Sequence, residues 1–241
     1  MKKALITGAN RGIGLEITKR LAQKGLFVIL GVRSEAHAAE TKQTLVENGV
    51  DENQIDYVLL DLNDTDTIKK SASYIAEKHP DLDLLVNNAG IAGDMEKPAL
   101  ATTVAEYQAT WNVNVLGTLQ VIQQLAPVLK NHQSQIVNIS GPSFATAFYN
   151  PAAYRVSKVA LNALIQSLAI DFYKNQDSVE IYGIFPGGVT TDINNHREGP
   201  FMKTVDEAGQ LIMAIIFDGK GHNGDIVNFD QKILSSVRFT R

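Results

Sequence analysis

Apolar residues recur along the chain in two alternating rhythms. Short runs rich in valine, isoleucine and leucine occupy 4–7, 26–31, 55–60, 82–86, 135–140 and 179–185, with a shorter one at 225–229. Between them lie stretches whose apolar positions repeat at helical spacing: 13–24, 35–48, 65–78, 103–130, 152–174 and 204–218. A short continuous apolar run suits a strand covered on both faces. Strands alternating with helical patterns predict βαβ units and a parallel sheet. No Pro-, Gly- or Ser-rich linker divides the chain, and it holds no repeat or low-complexity segment. The prediction is therefore one doubly wound α/β domain over residues 1–241. In such sheets ligands bind beyond the carboxyl ends of the strands, so the chemistry is to be sought in the loops that follow them.

The first such loop reads LITGANRGIG. Gly8, Gly12 and Gly14 follow the strand at a G-x-x-x-G-x-G spacing, a variant of the dinucleotide fingerprint. Glycine permits a sharp turn and close backbone approach, and the helix behind it offers free N–H groups to a phosphate. A tight strand-to-helix turn with no ligand is the bland alternative. The third strand ends in LLDLND, where Asp61 is placed to reach an adenine; Asp64 is the rival for capping the next helix. The fourth ends in LLVNNAG, with Asn87 and Asn88 as polar anchors before a small residue and a glycine.

Two Tyr-x-x-x-Lys pairs, Tyr74/Lys78 and Tyr154/Lys158, would each share a helix face. Spacing alone does not distinguish them.

Composition narrows the function more than it names one. Hydrophobic residues make up 44%, the formal net charge is −4 and the pI is about 5.7. Nothing there favours nucleic acid or an anionic membrane as a partner. The chain has no cysteine, which excludes disulfides, thiolate catalysis and cysteine-ligated metals; no metal site is expected. MKKALITGAN turns glycine-rich before any run resembling a signal peptide, and no segment approaches the roughly 20 apolar residues of a membrane span. A soluble protein is expected, with a cytoplasmic location inferred from these absences.

Taken together, TGANRGIG (7–14), NNAG (87–90), NVLG (114–117), YRVSK (154–158) and PGGVTT (186–191) resemble the short-chain dehydrogenase/reductase family, in its order and at its spacings across essentially the whole chain. The resemblance implies a Rossmann-type doubly wound seven-stranded parallel sheet, and hydride transfer between a nicotinamide cofactor and a carbonyl or alcohol. It implies that Tyr154 is the general acid. A free phenol, with a pKa of about 10, is a poor match to neutral pH, and a neighbouring ammonium lowers it. It implies that Lys158 also binds the nicotinamide ribose and that Asn114, rather than Asn112, supports a water-linked proton relay through its main chain. For the cofactor it implies contacts from Gly8, Asn10, Arg11, Gly12, Ile13 and Gly14, from Asp61 and Leu62, from Asn88, Ala89 and Gly90, and from Pro186, Gly187, Val189 and Thr191. Tyr74/Lys78, away from the strand ends, reads as a solvated helix face.

The chain departs from the family pattern at the serine. The catalytic serine usually lies thirteen residues before the tyrosine, and here that position is Gly141. Ser140 is one residue early and Ser143 two late; Ser140, at the strand end, is the expected polariser of the substrate carbonyl. The second strand reads FVILGVRSE, with Val32 where NAD enzymes usually carry an acid, followed by Arg33. With Arg11, Arg33 would suit a 2′-phosphate, so the expected cofactor is NADP(H). The competing reading has Arg33 solvated and Glu35 on the ribose.

The expectation is thus an NADPH-dependent reductase of small ketones or aldehydes. Its rivals are an NAD-dependent alcohol dehydrogenase and a non-catalytic dinucleotide-sensing protein. The helical stretches 103–130 and 152–174 match those that pair subunits in many relatives, so a homodimer or homotetramer is expected. Substrate choice falls to 91–102, 141–153 and 190–203, where Phe144, Phe148 and Tyr149 suggest a partly apolar pocket. His196 and Arg197 read as solvated loop residues rather than contacts to an acidic substrate.

Overall fold

The structure, a computed structural model, describes residues 1–142 and 150–239. Alternating strands and helices build one sheet: β1 (Lys3–Thr7), β2 (Phe27–Val32), β3 (Ile55–Leu59), β4 (Leu82–Asn87), β5 (Ser134–Ile139), β6 (Val179–Phe185) and β9 (Ile226–Asn228) are parallel, in the order β9-β6-β5-β4-β1-β2-β3. The chain starts at the centre and winds outward in both directions, so its direction reverses between β1 and β4. That reversal opens a crevice at the carboxyl ends of both strands.

Period-two alternation within each strand sends side chains to two separate cores. Ala4, Ile6, Val28, Leu30, Val137, Ile139 and Ile184 face one layer, packed against Ile17 and Leu21 of α1 (Gly12–Gln23), Leu45 of α2 (Glu35–Glu47) and Ile212 of α7 (Val205–Ile216). Leu5, Ile29, Leu85, Ile136 and Ile181 face the other, against Ile68 and Ile75 of α3 (Thr65–Lys78), Val121 and Leu125 of α5 (Thr118–Leu129), and Leu161 and Ile165 of α6 (Ala152–Lys174). Each strand is thus apolar on both faces, which is why it reads as an unbroken apolar run. Among the described residues no helix is long and apolar enough to cross a membrane.

Three elements depart from the expectation. The predicted seven-stranded parallel sheet gains an eighth, antiparallel edge strand, β10 (Ile233–Ser235), paired with β9. Three residues with Ile233 and Leu234 exposed are too few for a periodicity to register. The stretch expected as one helix, 103–130, is α4 (Val104–Trp111), a π-helical turn (Asn112–Gly117) and α5. Finally, 190–203 is less irregular than its polarity suggests. It is closed off by a two-stranded parallel ribbon, β7 (Gly188–Val189) against β8 (Met202–Lys203).

Candidate active site

Helix α1 begins where β1 ends, and its N-terminus is bare. Its first i→i−4 hydrogen bond runs from Leu15 N to Arg11 O at 3.2 Å, so the amides of Gly12, Ile13 and Gly14 have no partner within the helix. The residue before the helix, Arg11, supplies no capping side chain and the first turn holds no acid. By contrast α2, α3, α4 and α7 are capped by Ser34, Asp64, Thr103 and Thr204. An uncapped, dipole-positive helix end facing a glycine loop is a seat for a phosphate. The loop itself is tight: a Cβ on Gly14 would lie 2.2 Å from the Gly8 carbonyl oxygen.

The ends of neighbouring strands lock this loop in place. Thr7 Oγ1 accepts from the amides of Asn88 and Ala89, both at 3.0 Å, and Asn88 Nδ2 donates back to Thr7 O at 3.0 Å and Gly8 O at 3.2 Å. Asn87 points inward instead, donating to Asn138 Oδ1 at 3.0 Å. Asp64 caps α3 through Asp66 N and Thr67 N, whereas Asp61 accepts from Asn63 N at 2.9 Å. Asp61 therefore has no helix to cap and lines the crevice with Leu62.

Tyr154 and Lys158 lie in the first two turns of α6, against the end of β5. Lys158 is buried, and its Nζ donates to Ile139 O at 2.8 Å and sits 5.6 Å from the centre of the Tyr154 ring. Burial brings the ammonium down to a pKa of about 8. Asn114, in the π turn, is engaged through its side chain. Its Oδ1 accepts from Ile91 N at 2.9 Å, and its Nδ2 donates to Ile91 O at 2.8 Å and Ser157 Oγ at 2.9 Å. Ser157 in turn donates to Tyr154 O at 2.7 Å. Asn112 is exposed. π turns often mark functional sites because they shift a helix face by one residue; here the shift carries Asn114 inward to α6.

Ser140 lies just past the end of β5, on the cleft wall. Asn162 Nδ2 donates to Gly141 O at 3.2 Å, which turns its Oδ1 toward the Ser140 hydroxyl. Ser140 Oγ hydrogen-bonds Asn162 Oδ1, and the residue is only 3% exposed. Gly141 faces the Lys158 stem closely: a Cβ there would meet Lys158 Cβ at 2.8 Å. Ser143, Phe144, Phe148 and Tyr149 lie outside the described residues.

These groups line one cleft of about 1280 Å³. Gly8, Asn10, Arg11, Gly12 and Ile13 form part of its wall, with Arg33, Asp61, Leu62, Asn88, Ala89, Gly90, Ser140, Tyr154, Lys158, Pro186, Gly187, Val189 and Thr191. Gly14 and Asn114 lie behind it. Arg11 pairs with Asp192 at 3.1 Å, which also holds His196 at 2.6 Å. Arg33, on the rim, has no ion pair among the described residues. Glu35 lies beside the Tyr57 phenol and holds its pKa up. Arg197 reaches Glu96 at 3.1 Å, tying the 190–203 segment to 91–102. The other tyrosine–lysine pair is dispersed, with Tyr74 on Asp56 at 3.0 Å and Lys78 on Glu77 at 2.7 Å. Asn162, Ser157 and Thr7 are the organising residues that sequence reading missed. Asn162 alone left a signal, continuing the Tyr154–Lys158 stripe one helical turn further.

A family model described as short chain dehydrogenase matches residues 2–199. The chain belongs to the short-chain dehydrogenase family. Among curated members, (−)-isopiperitenone reductase of Mentha piperita is 46% identical in an alignment covering 90% of this chain and 93% of that one. Among solved members, a short chain dehydrogenase from Salmonella enterica serovar Typhi superposes with a TM-score of 0.82 at 27% identity, covering 95% of each chain. The NADPH-bound carbonyl reductase from chicken fatty liver shares the fold at a TM-score of 0.86, with 24% identity over 98% of this chain and 99% of that one. The protein is accordingly an oxidoreductase of this family.

Proposed function

We propose that the protein is an NADPH-dependent reductase that converts a small-molecule ketone or aldehyde to an alcohol. The observation that carries this reading is the partly buried Tyr154 on the cleft wall with the desolvated ammonium of Lys158 beside its ring. An NADPH-bound carbonyl reductase among the fold's neighbours, and a reductase among the relatives, support it.

The bare start of α1 and the glycine loop suit the dinucleotide's phosphates. Asp61 and Leu62 would meet the adenine, Asn88–Gly90 the ribose side, Pro186, Gly187, Val189 and Thr191 the nicotinamide, and Arg33 the 2′-phosphate. When bound, the cofactor supplies the hydride. Tyr154 Oη donates a proton to the carbonyl oxygen as negative charge develops there, and the Lys158 ammonium stabilises the phenolate left behind. Ser140, on the same cleft wall, would polarise that carbonyl through its hydroxyl, with Asn162 beside it on α6. A homodimer or homotetramer pairing the faces of 103–130 and α6 belongs to the same reading, supported by the half-exposed Trp111, Leu116 and Val156.

Tyr154→Phe tests it. NADPH binding should persist while kcat for carbonyl reduction falls at least ~100-fold; near-normal turnover would remove Tyr154 from the chemistry. The pH profile supplies the sign. The Lys158 ammonium is present below about pH 8 and lost above it. The neutral amine no longer acidifies the phenol, so the reduction rate should fall as pH rises through that region.

A further inference from the structure

One cation in the cleft is left unused by that mechanism. Lys203, the second residue of β8, lies beside the turn that follows β6. Its Nζ is 3.7 Å from the centre of the Phe229 ring and 2.5 Å from where a Cβ on Gly187 would stand. Only a glycine at 187 leaves that space open. Phe229 is itself set edge-on to Phe185, with ring centres 6.4 Å apart. All four residues line the cleft. The backbone carrying the lysine is tied down, since Val189 pairs with Lys203 across the ribbon and Thr190 N donates to Lys203 O at 2.9 Å.

The charge has no ion pair and donates no hydrogen bond among the described residues. Among the described residues, the carboxylate acting on Lys203 is that of Glu207, through space and without a hydrogen bond. Glu207 is engaged elsewhere, accepting from Thr204 N at 2.8 Å and Thr204 Oγ1 at 3.0 Å. Partial burial pushes the Lys203 pKa down. A desolvated cation over an aromatic face is attracted by the ring, but its desolvation is only partly offset.

We propose that Lys203 and Phe229 form an anion subsite beside the Gly187 turn, taking a carboxylate or phosphate group of the molecule in the cleft. Two sources share this chemistry: an acidic substituent on the carbonyl substrate, or a phosphate of the dinucleotide. The aromatic wall keeps water from one side of the pair, so a charge-assisted hydrogen bond there is stronger than on an open surface. The subsite deepens the reductase reading and rests on it for the identity of the occupant.

Lys203→Met keeps the apolar stem and removes the charge; Lys203→Arg keeps the charge. NADPH affinity is measured by fluorescence titration. Binding of 4-oxo-4-phenylbutanoate and of its methyl ester to the NADP⁺-loaded protein is measured by calorimetry, which needs no turnover. For a substrate subsite, the unmodified protein binds the acid more tightly than the ester. Lys203→Met then weakens the acid by about 10- to 100-fold, Lys203→Arg restores most of it, and the ester and NADPH are unaffected. For a cofactor subsite, NADPH affinity falls by a similar factor in Lys203→Met and returns in Lys203→Arg. If all three affinities are unchanged in Lys203→Met, or if acid and ester weaken equally with NADPH unaffected, the subsite is overturned. Failure of the reductase reading shows separately, as no NADPH oxidation with any carbonyl while the charge-dependent binding persists.

Discussion

At the residue scale the decisive contrast is between Ser140 and Tyr154, both legible as candidates from their places in the chain. Tyr154 needed only helical spacing to meet Lys158, because i and i+4 share a face in any helix. Ser140 needed the orientation of a strand end against Asn162, 22 residues on in α6, and sequence does not carry that. In the fold its hydroxyl meets Asn162 Oδ1 at the cleft wall. Ser140→Ala should therefore act on stability as well as on turnover. An orphaned buried acceptor costs about 1–3 kcal/mol, which for a chain of this size lowers Tm by roughly 2–12 °C. Turnover by the folded protein should fall ~100- to 1,000-fold, the cost of losing an oxyanion donor. Near-normal kcat in that variant would remove Ser140 from the chemistry.

At the element scale, the π turn joins the loop after β4 to α6. Helical periodicity over 103–130 predicts one continuous helix because the extra residue shifts the apolar stripe too briefly to be seen. The shift is what buries Asn114, and through it Ile91 and Ser157 are clamped to the backbone of Tyr154. Asn114→Ala would leave Ile91 N–H and C=O without their side-chain partner. Because Ile91 is exposed, water offsets part of the cost, about 1–3 kcal/mol for an unpaired buried group. The urea midpoint should drop accordingly, and kcat should fall more than NADPH affinity does, since α6 loses its anchor while the glycine loop keeps its own. An unchanged midpoint would mean that the clamp contributes nothing to the fold.

At the scale of the whole molecule, cofactor binding and stability are linked. Any ligand held only by the folded chain stabilises it by about 2.7 kcal/mol at 100 times its Kd, or roughly 5–11 °C in Tm for a chain of this length. NADPH should therefore raise Tm well above NADH at equal concentration if Arg33 takes the 2′-phosphate. Arg11, paired with Asp192, is less available than its place in the glycine loop implies, so the preference should be near ~100-fold, that of a strong single contact. Arg33→Ser should bring the two melting shifts together. Equal shifts in the unmodified protein, or a larger one with NADH, would refute the NADP assignment.

The doubly wound fold, the loops at its carboxyl ends, the glycine turn and the Tyr154–Lys158 pair are legible in the chain alone. All of these are set by local periodicity, by backbone freedom, or by spacing within one helix. Which partner each isolated polar group meets is a tertiary outcome. The fold set Ser140 against Asn162, interrupted 103–130 with a π turn at Asn114, drew Arg11 to Asp192, and placed Lys203 over Phe229 at the end of another strand. Those outcomes depend on how elements far apart in the chain approach one another, and a buried donor or cation takes whatever partner that approach brings within reach.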